Sequence, residues 1–122
     1  MRFSSDPTEQ NHIRAYEPGA IHLRDRTLST NIIISAEKII EGWAPAPLAE
    51  MSIADFSAAI EMRPDIILFG TGAQQVFPDI ALLTAIMQQG IAIEVMQTHA
   101  ACSTFNVLIN EHRSAVAALL VD

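Results

Sequence analysis

The chain has 122 residues with a formal net charge of −7, and half of its residues are hydrophobic while 6% are aromatic. This length suits one domain with an aliphatic core, and the apolar composition argues against a disordered chain. An acidic chain repels nucleic-acid backbones unless it carries a local basic patch. Only Arg14, Arg24 and Arg26 come close to such a patch, so we expect no nucleic-acid partner.

The cellular compartment and the bounds of the domain are predicted from the cysteine content, the N-terminal residues and the apolar runs. The single cysteine, Cys102, excludes an internal disulfide. The first residues lack an apolar signal segment, and no apolar run approaches the roughly 20 residues of a membrane-spanning helix. We therefore expect a cytoplasmic protein with no membrane span, in which residues 1–11 form a flexible tail and residues 12–122 a single α/β domain.

The first part of the domain has the pattern of short strands joined by turns. Residues 12–16 alternate between polar and apolar side chains, as a half-exposed strand does. Two further apolar segments, residues 21–24 and 27–34, flank Asp25-Arg26, which predicts a β-hairpin through that point. Residues 37–41 could continue a strand or bend. We therefore expect an N-terminal β-hairpin ahead of the main sheet.

The next two segments are predicted to be helices from their caps and their apolar spacing. Ser52 fits the N-cap of the first helix, Asp55 lies in its first turn, and Pro64 ends it. Pro78 is acceptable in the first turn of the second helix, and Gly90 fits the left-handed position after its end. We expect the second helix to bury Ile80, Leu83, Ile86 and Met87.

The last helix is predicted to begin at Thr98, with the threonine hydroxyl as its cap. Three apolar strands, residues 66–69, 91–96 and 115–121, alternate with the helices, and right-handed crossovers make neighbouring strands parallel. The spacing predicts a buried stripe on the last helix made of Ala101, Cys102, Phe105, Leu108 and Ile109. These elements predict an α/β fold: a single three-layer domain with a mixed, partly parallel central sheet flanked by helices, plus the N-terminal β-hairpin.

The carboxyl ends of the strands form a rim where α/β sheets commonly bind ligands. This rim carries the Gly70–Gln75 loop and the start of the Thr98 helix, whose free N–H groups suit an anion. The loop lacks the lysine of a phosphate-binding loop and the third glycine of a dinucleotide fingerprint. The pattern is compatible with an anion or small-molecule site, and it favours a purely structural turn.

Other reactive side chains are weaker candidates. Cys102 and His99 are three residues apart on one helical turn, a spacing that would allow an activated thiol. Cys102 also lies on the predicted buried stripe, where cysteine usually acts as a small hydrophobic residue. Glu94 interrupts an apolar strand and requires a partner if it is buried. The four histidines lack the spacing of metal ligands.

Three motifs together resemble a known family: Gly70-Thr71-Gly72, residues 90–95, and the pattern from Thr98 to Arg113. The family is a small conserved domain of unknown function. It occurs in bacterial and archaeal hypothetical proteins, in an adipogenesis-associated protein and in a mitochondrial respiratory complex I assembly factor. The resemblance implies a three-layer α/β fold with a mixed sheet, no established catalytic activity, and action through protein contacts.

The resemblance also implies which positions the family shares. Many members carry arginine where this chain has Gln74 and Ser103, so positive charge is missing from the rim. The matching positions are Gly70, Thr71, Gly72, Glu94, Thr98, Thr104, Phe105, Asn106, Glu111 and Arg113.

Two functions from different classes remain open. The first is a non-enzymatic protein-interaction module that assists assembly of a respiratory or other protein complex, and the second is a small-molecule or anion-binding protein or enzyme that uses the rim. A homo-oligomer is a further option. We predict no catalytic residue, metal ligand or cofactor, and the sequence does not identify the protein partner. The candidate binding residues are Gly70, Thr71, Gly72, Gln74, Glu94, Thr98, Thr104, Asn106 and Arg113.

Overall fold

Strands come first and then alternate with helices along residues 10–122, the part of the chain that the computed structural model describes. The strands are β1 (Ile13–Glu17), β2 (Ala20–Leu23), β3 (Thr27–Leu28), β4 (Ile32–Ser35), β5 (Ile39–Glu41), β6 (Ile66–Gly70), β7 (Ala92–Met96) and β8 (Ala115–Leu119). The α-helices are α1 (Ser57–Glu61), α2 (Ile80–Met87) and α3 (Thr98–Asn110), with short 3-10 turns at Leu48–Glu50 and Ile53–Phe56.

The predicted tail falls almost entirely outside the described residues. Of the tail, the structure describes residues 10 and 11. The backbone N–H of Asn11 donates a hydrogen bond to the Ala36 carbonyl at 2.8 Å. The Asn11 side chain also donates to the Ser35 carbonyl at 2.9 Å. Asn11 is therefore tied to the connection between β4 and β5.

The central sheet is mixed, as predicted. Its five strands lie in the order β5-β4-β8-β6-β7. β6 pairs in parallel with both β7 and β8, whereas β4 pairs antiparallel with β5 and β8. A second sheet of three antiparallel strands, β1-β2-β3, contains the predicted hairpin through Asp25-Arg26. Every residue of β8 is buried, as expected for a central strand covered on both faces.

Three layers follow from the two apolar faces of the central sheet. One face packs against α3 and the three-stranded sheet, with Phe105 and Leu68 in that core. The other packs against α1 and α2, with Phe56 and Phe69 in its core. Successive β6 side chains alternate between these cores, because neighbouring residues of a strand point to opposite faces. The predicted three-layer arrangement is confirmed.

The single strand predicted over residues 27–34 is wrong, because the segment divides between the two sheets. β3 pairs with β2 and β4 with β8, so the chain changes sheet over residues 29–31. Asn31 anchors this crossing: its side chain donates to the Trp43 carbonyl at 3.1 Å and accepts from the Val121 N–H at 2.8 Å. Both partners are distant in sequence, so the apolar pattern alone does not reveal the break.

The predicted start of the first helix is confirmed. The Asp55 carboxylate accepts from the Ser52 N–H at 2.9 Å and from the Ala46 N–H at 3.1 Å. The indole N–H of Trp43 donates to the Asp55 carbonyl at 2.8 Å. The helix begins as a 3-10 turn and continues as α1, so this capping aspartate joins the proline-rich loop to the helix.

The predicted buried stripe of α2 is wrong for two of its four members. Ile80 is 76% and Met87 51% exposed, whereas the buried side chains are Leu82 and Ile86. Leu83 is partly buried. Residues 80–87 contain no charged side chain, and a helix that is apolar all round does not reveal which face it buries.

Candidate functional site

Thr98 connects three segments at the carboxyl end of the sheet. Its side chain is fully buried. The hydroxyl donates to the Leu120 carbonyl at 2.7 Å and accepts from the Gly72 N–H at 2.8 Å. The Thr98 N–H in turn donates to the Gly72 carbonyl at 2.9 Å. The N-cap of α3 is Gln97, so the prediction that the Thr98 hydroxyl caps the helix is wrong.

The Thr71 hydroxyl also makes hydrogen bonds within the protein, to groups of its own loop and of β7. This hydroxyl lies 2.6 Å from the Gln74 carbonyl and 3.3 Å from the Met96 carbonyl, to which it can donate. The same oxygen accepts from the Val76 N–H at 3.1 Å. The loop therefore closes on the Thr71 side chain, which is 9% exposed.

Two glycines allow these close approaches. A Cβ atom on Gly70 would lie 2.9 Å from Leu119 Cδ2 and from both Cα and Oγ1 of Thr98. Gly72 has a φ of +94°, and a Cβ there would collide with the carbonyl oxygen of Asp122. Backbone in this left-handed region favours glycine. The packing of the rim therefore explains both glycines.

The remaining predicted binding residues lie apart from this rim. The Asn106 side chain joins α3 to β1. Its Nδ2 donates to the Ile13 carbonyl at 2.7 Å, and its Oδ1 accepts from the Ile13 N–H at 2.9 Å. Thr104 is partly buried two residues earlier on α3. Arg113 is exposed and lines an open cleft with Lys38 at the opposite end of β8. These residues do not form one site with the rim.

Gln74 and Glu94 are exposed and lie nearer to the rim. The Gln74 carbonyl holds the Thr71 hydroxyl. Register pairs Glu94 with Leu68, so its side chain points to the α3 side of β7. The Glu94 carboxylate has no described hydrogen-bond or ion-pair partner within residues 10–122.

The Cys102 thiol does not have the character of an activated nucleophile. Burial raises its pKa to about 12, so the thiolate is scarce at neutral pH. Cys102 is 5% exposed and packs in the core beside Phe105. Among the described residues there is also no group of three His, Cys, Asp or Glu side chains that could hold a metal ion.

Four of the five large apolar side chains that are exposed within residues 10–122 lie on α2 or in the segment just before it. They are Val76 (46%), Phe77 (62%), Ile80 (76%) and Met87 (51%), and we call this set the α2 outer face. Ile80 and Met87 are seven residues apart on one side of α2, and Val76 and Phe77 continue the rim loop toward the helix. Sequence reasoning missed this surface, although the absence of charge between residues 80 and 87 was a usable signal.

Comparison with known proteins identifies the family. A family model described as "Protein of unknown function (DUF498/DUF598)" matches residues 13–120. The chain belongs to this DUF498 family. The resemblance to the domain found in a complex I assembly factor is confirmed, because such factors are among the similar proteins.

Similar members of the DUF498 family carry different names. The chain is 30% identical to NADH dehydrogenase [ubiquinone] 1 alpha subcomplex assembly factor 3 of Xenopus tropicalis, over 98% of this chain and 66% of that protein. It is 26% identical to the 13 kDa major membrane protein of Francisella tularensis, over 83% of each. The chain thus spans just under two thirds of the frog assembly factor.

A similar solved structure has the same fold. The Xanthomonas campestris protein superimposes with a TM-score of 0.84 at 30% identity, covering 99% of this chain and 92% of that one. Within residues 10–122, no helix has both the length and the apolar character needed to cross a bilayer. Since one relative is named a membrane protein, the cytoplasmic location stays a prediction.

Proposed function

We propose that this chain is a non-enzymatic protein-interaction module that assists assembly of a protein complex through the α2 outer face. The observation that carries the proposal is the exposure of Ile80 and Met87 on one side of α2, together with that of Phe77 just before the helix. Exposed contiguous apolar patches on small domains mark interaction sites. The partner is a protein that covers this surface with apolar side chains of its own.

The names of the relatives support a role in assembly. Proteins named as complex I assembly factors match most of this chain. The chain itself covers less than two thirds of those proteins. That this chain shares their assembly role is therefore part of our proposal.

The alternative function, an anion or small-molecule site on the rim, has less support. Such a site needs polar groups that point outward, and the hydroxyls of Thr71 and Thr98 are both engaged within the protein. The exposed glutamines of the loop, Gln74 and Gln75, instead border the α2 outer face. We therefore place the rim loop at the margin of the protein-binding surface.

Charged variants of α2 test the proposed function. We expect Ile80→Glu and Met87→Glu each to lower partner affinity by roughly 30-fold, the effect of losing an interface hot spot. Both side chains are exposed, so the free energy of unfolding is expected to change by less than about 0.5 kcal/mol. Affinity capture from the cells of origin, with recovery measured against bait concentration, is the assay.

Val107→Glu is the matched control. Val107 is 54% exposed on α3, on another surface of the molecule. It receives the same change of an apolar side chain to a carboxylate, and we expect it to retain the partner. Equal losses in Val107→Glu and Ile80→Glu, or no loss in either α2 variant, would contradict the proposal.

A further inference from the structure

No strand within residues 10–122 pairs with the outer edge of β7. β7 is the last strand of the five-stranded sheet and pairs only with β6. Ala92 donates to the Asp65 carbonyl and Met96 accepts from the Thr71 N–H, so residues 92, 94 and 96 bond toward β6. By alternation, the backbone groups of Ile93 and Val95 point outward. Such an edge is a template for one more strand.

Gln75 occupies part of this edge. Its side-chain amide donates to the Val95 carbonyl at 3.0 Å, which is the bond that an N–H of an added strand would make. Gln75 is exposed, so an incoming backbone can displace its side chain. The bond also fixes the position of the rim loop: Val76 and Phe77, two members of the α2 outer face, follow directly at the same edge.

The two faces of this edge differ in chemistry. Ile93 and Val95 point to the side covered by α2, where the exposed apolar surface lies. Glu94 points to the opposite side, is exposed and lacks a described partner within residues 10–122. A second copy paired antiparallel about Glu94 would place two carboxylates directly opposite each other, which is unfavourable. Charge complementarity instead requires a basic side chain at that position.

We propose that β7 takes an extended segment of a partner protein as a sixth strand, with a lysine or arginine opposite Glu94 and apolar residues on either side of it. Backbone hydrogen bonds to Ile93 and Val95 hold the segment, and alternate side chains give specificity. The apolar residues of the segment extend the contact with the α2 outer face. This inference rests on the proposed function and names the chemistry of the partner.

A synthetic peptide that alternates valine and lysine is the probe. Titration into the isotope-labelled protein is expected to shift the amide resonances of Ile93 and Val95 and to slow their hydrogen exchange. A matched peptide with glutamate in place of lysine is expected to bind about tenfold more weakly, because the attractive cross-strand pair with Glu94 becomes repulsive. With Glu94→Lys, the preference between the two peptides is expected to reverse.

A backbone-blocked variant tests the geometry. Ile93→Pro removes an outward N–H together with the isoleucine side chain, at a position where an edge strand tolerates proline, and is expected to lose peptide binding. Ile93→Ala, which loses the same side-chain packing but keeps the N–H, is expected to bind. The proposal is overturned if Ile93 and Val95 do not respond to the peptide, or if Glu94→Lys leaves the peptide preference unchanged.

The outcomes separate this inference from the proposed function. If Ile80→Glu abolishes partner capture but the amide resonances of Ile93 and Val95 do not respond to the peptide, the proposed interaction surface is supported and strand addition is refuted. If Ile80→Glu leaves capture intact, the proposed function fails whatever the peptide does.

Discussion

Thr98→Val is expected to lower the free energy of unfolding by about 2–4 kcal/mol, because it leaves a buried N–H and a partly buried carbonyl without their partner. Valine has nearly the same shape as threonine, so the core packing is retained. The lost hydroxyl holds the Leu120 carbonyl and the Gly72 N–H at 2.7 and 2.8 Å. Chemical denaturation followed by circular dichroism measures the change.

Thr98→Ser is the control for this prediction. Serine keeps the hydroxyl and removes one methyl group, so its cost is expected to be about 1 kcal/mol, the value of a buried methyl or methylene group. A serine variant that is less stable than the valine variant would show that the methyl group, and not the hydroxyl, is the important part of Thr98.

Gly70→Ala is the second large expected effect. The added methyl group would meet Leu119 Cδ2 and two atoms of Thr98 at 2.9 Å. One of these atoms is the Thr98 Cα, which is backbone and cannot rotate away. Overpacking of this kind costs about 1–3 kcal/mol, and we expect the upper end of that range. The readout is again the free energy of unfolding.

Gly90→Ala separates packing from backbone strain. Gly90 has a φ of +82° and no atom within 4 Å of an added Cβ, so its substitution strains the backbone without any clash. We expect a cost of about 1 kcal/mol there. If Gly70→Ala costs no more than Gly90→Ala, the rim is less tightly packed than the structure indicates.

Contacts within the protein account for the presence of Gly70, Gly72 and Thr98 at the rim. Gly70 lets Thr98 approach the end of β6, and Thr98 then holds both Gly72 and Leu120. This interpretation assigns the family motif to folding. In our proposal, the surface that contacts a partner is the adjacent α2 outer face.

Local signals predicted much of the fold. The apolar run over residues 66–69 indicated a strand of the central sheet, which the structure has as β6. Gly90 indicated the end of the α2 segment, and its φ of +82° agrees. The Ser52 and Asp55 pair indicated a helix start, where Asp55 accepts from the Ser52 N–H. Each of these features depends on side chains within a few residues of one another.

Features that depend on distant segments were not predictable from one sequence. Asn31 bonds to Val121, 90 residues away, and Asn106 bonds to Ile13, 93 residues away. The role of Thr98 requires Gly72 and Leu120 to meet. The exposed face of α2 was missed for a different reason: an uncharged helix has no polar side to mark what faces water.

Site-specific photo-crosslinking tests the central claim, that the α2 outer face contacts a protein partner. A photoreactive phenylalanine derivative would replace Ile80 in one protein and Ser103, an exposed residue of α3, in a second. Both proteins would be irradiated in the cells of origin. We predict a discrete protein adduct from position 80 and none from position 103. No adduct from position 80, together with a discrete adduct from position 103, would contradict the account.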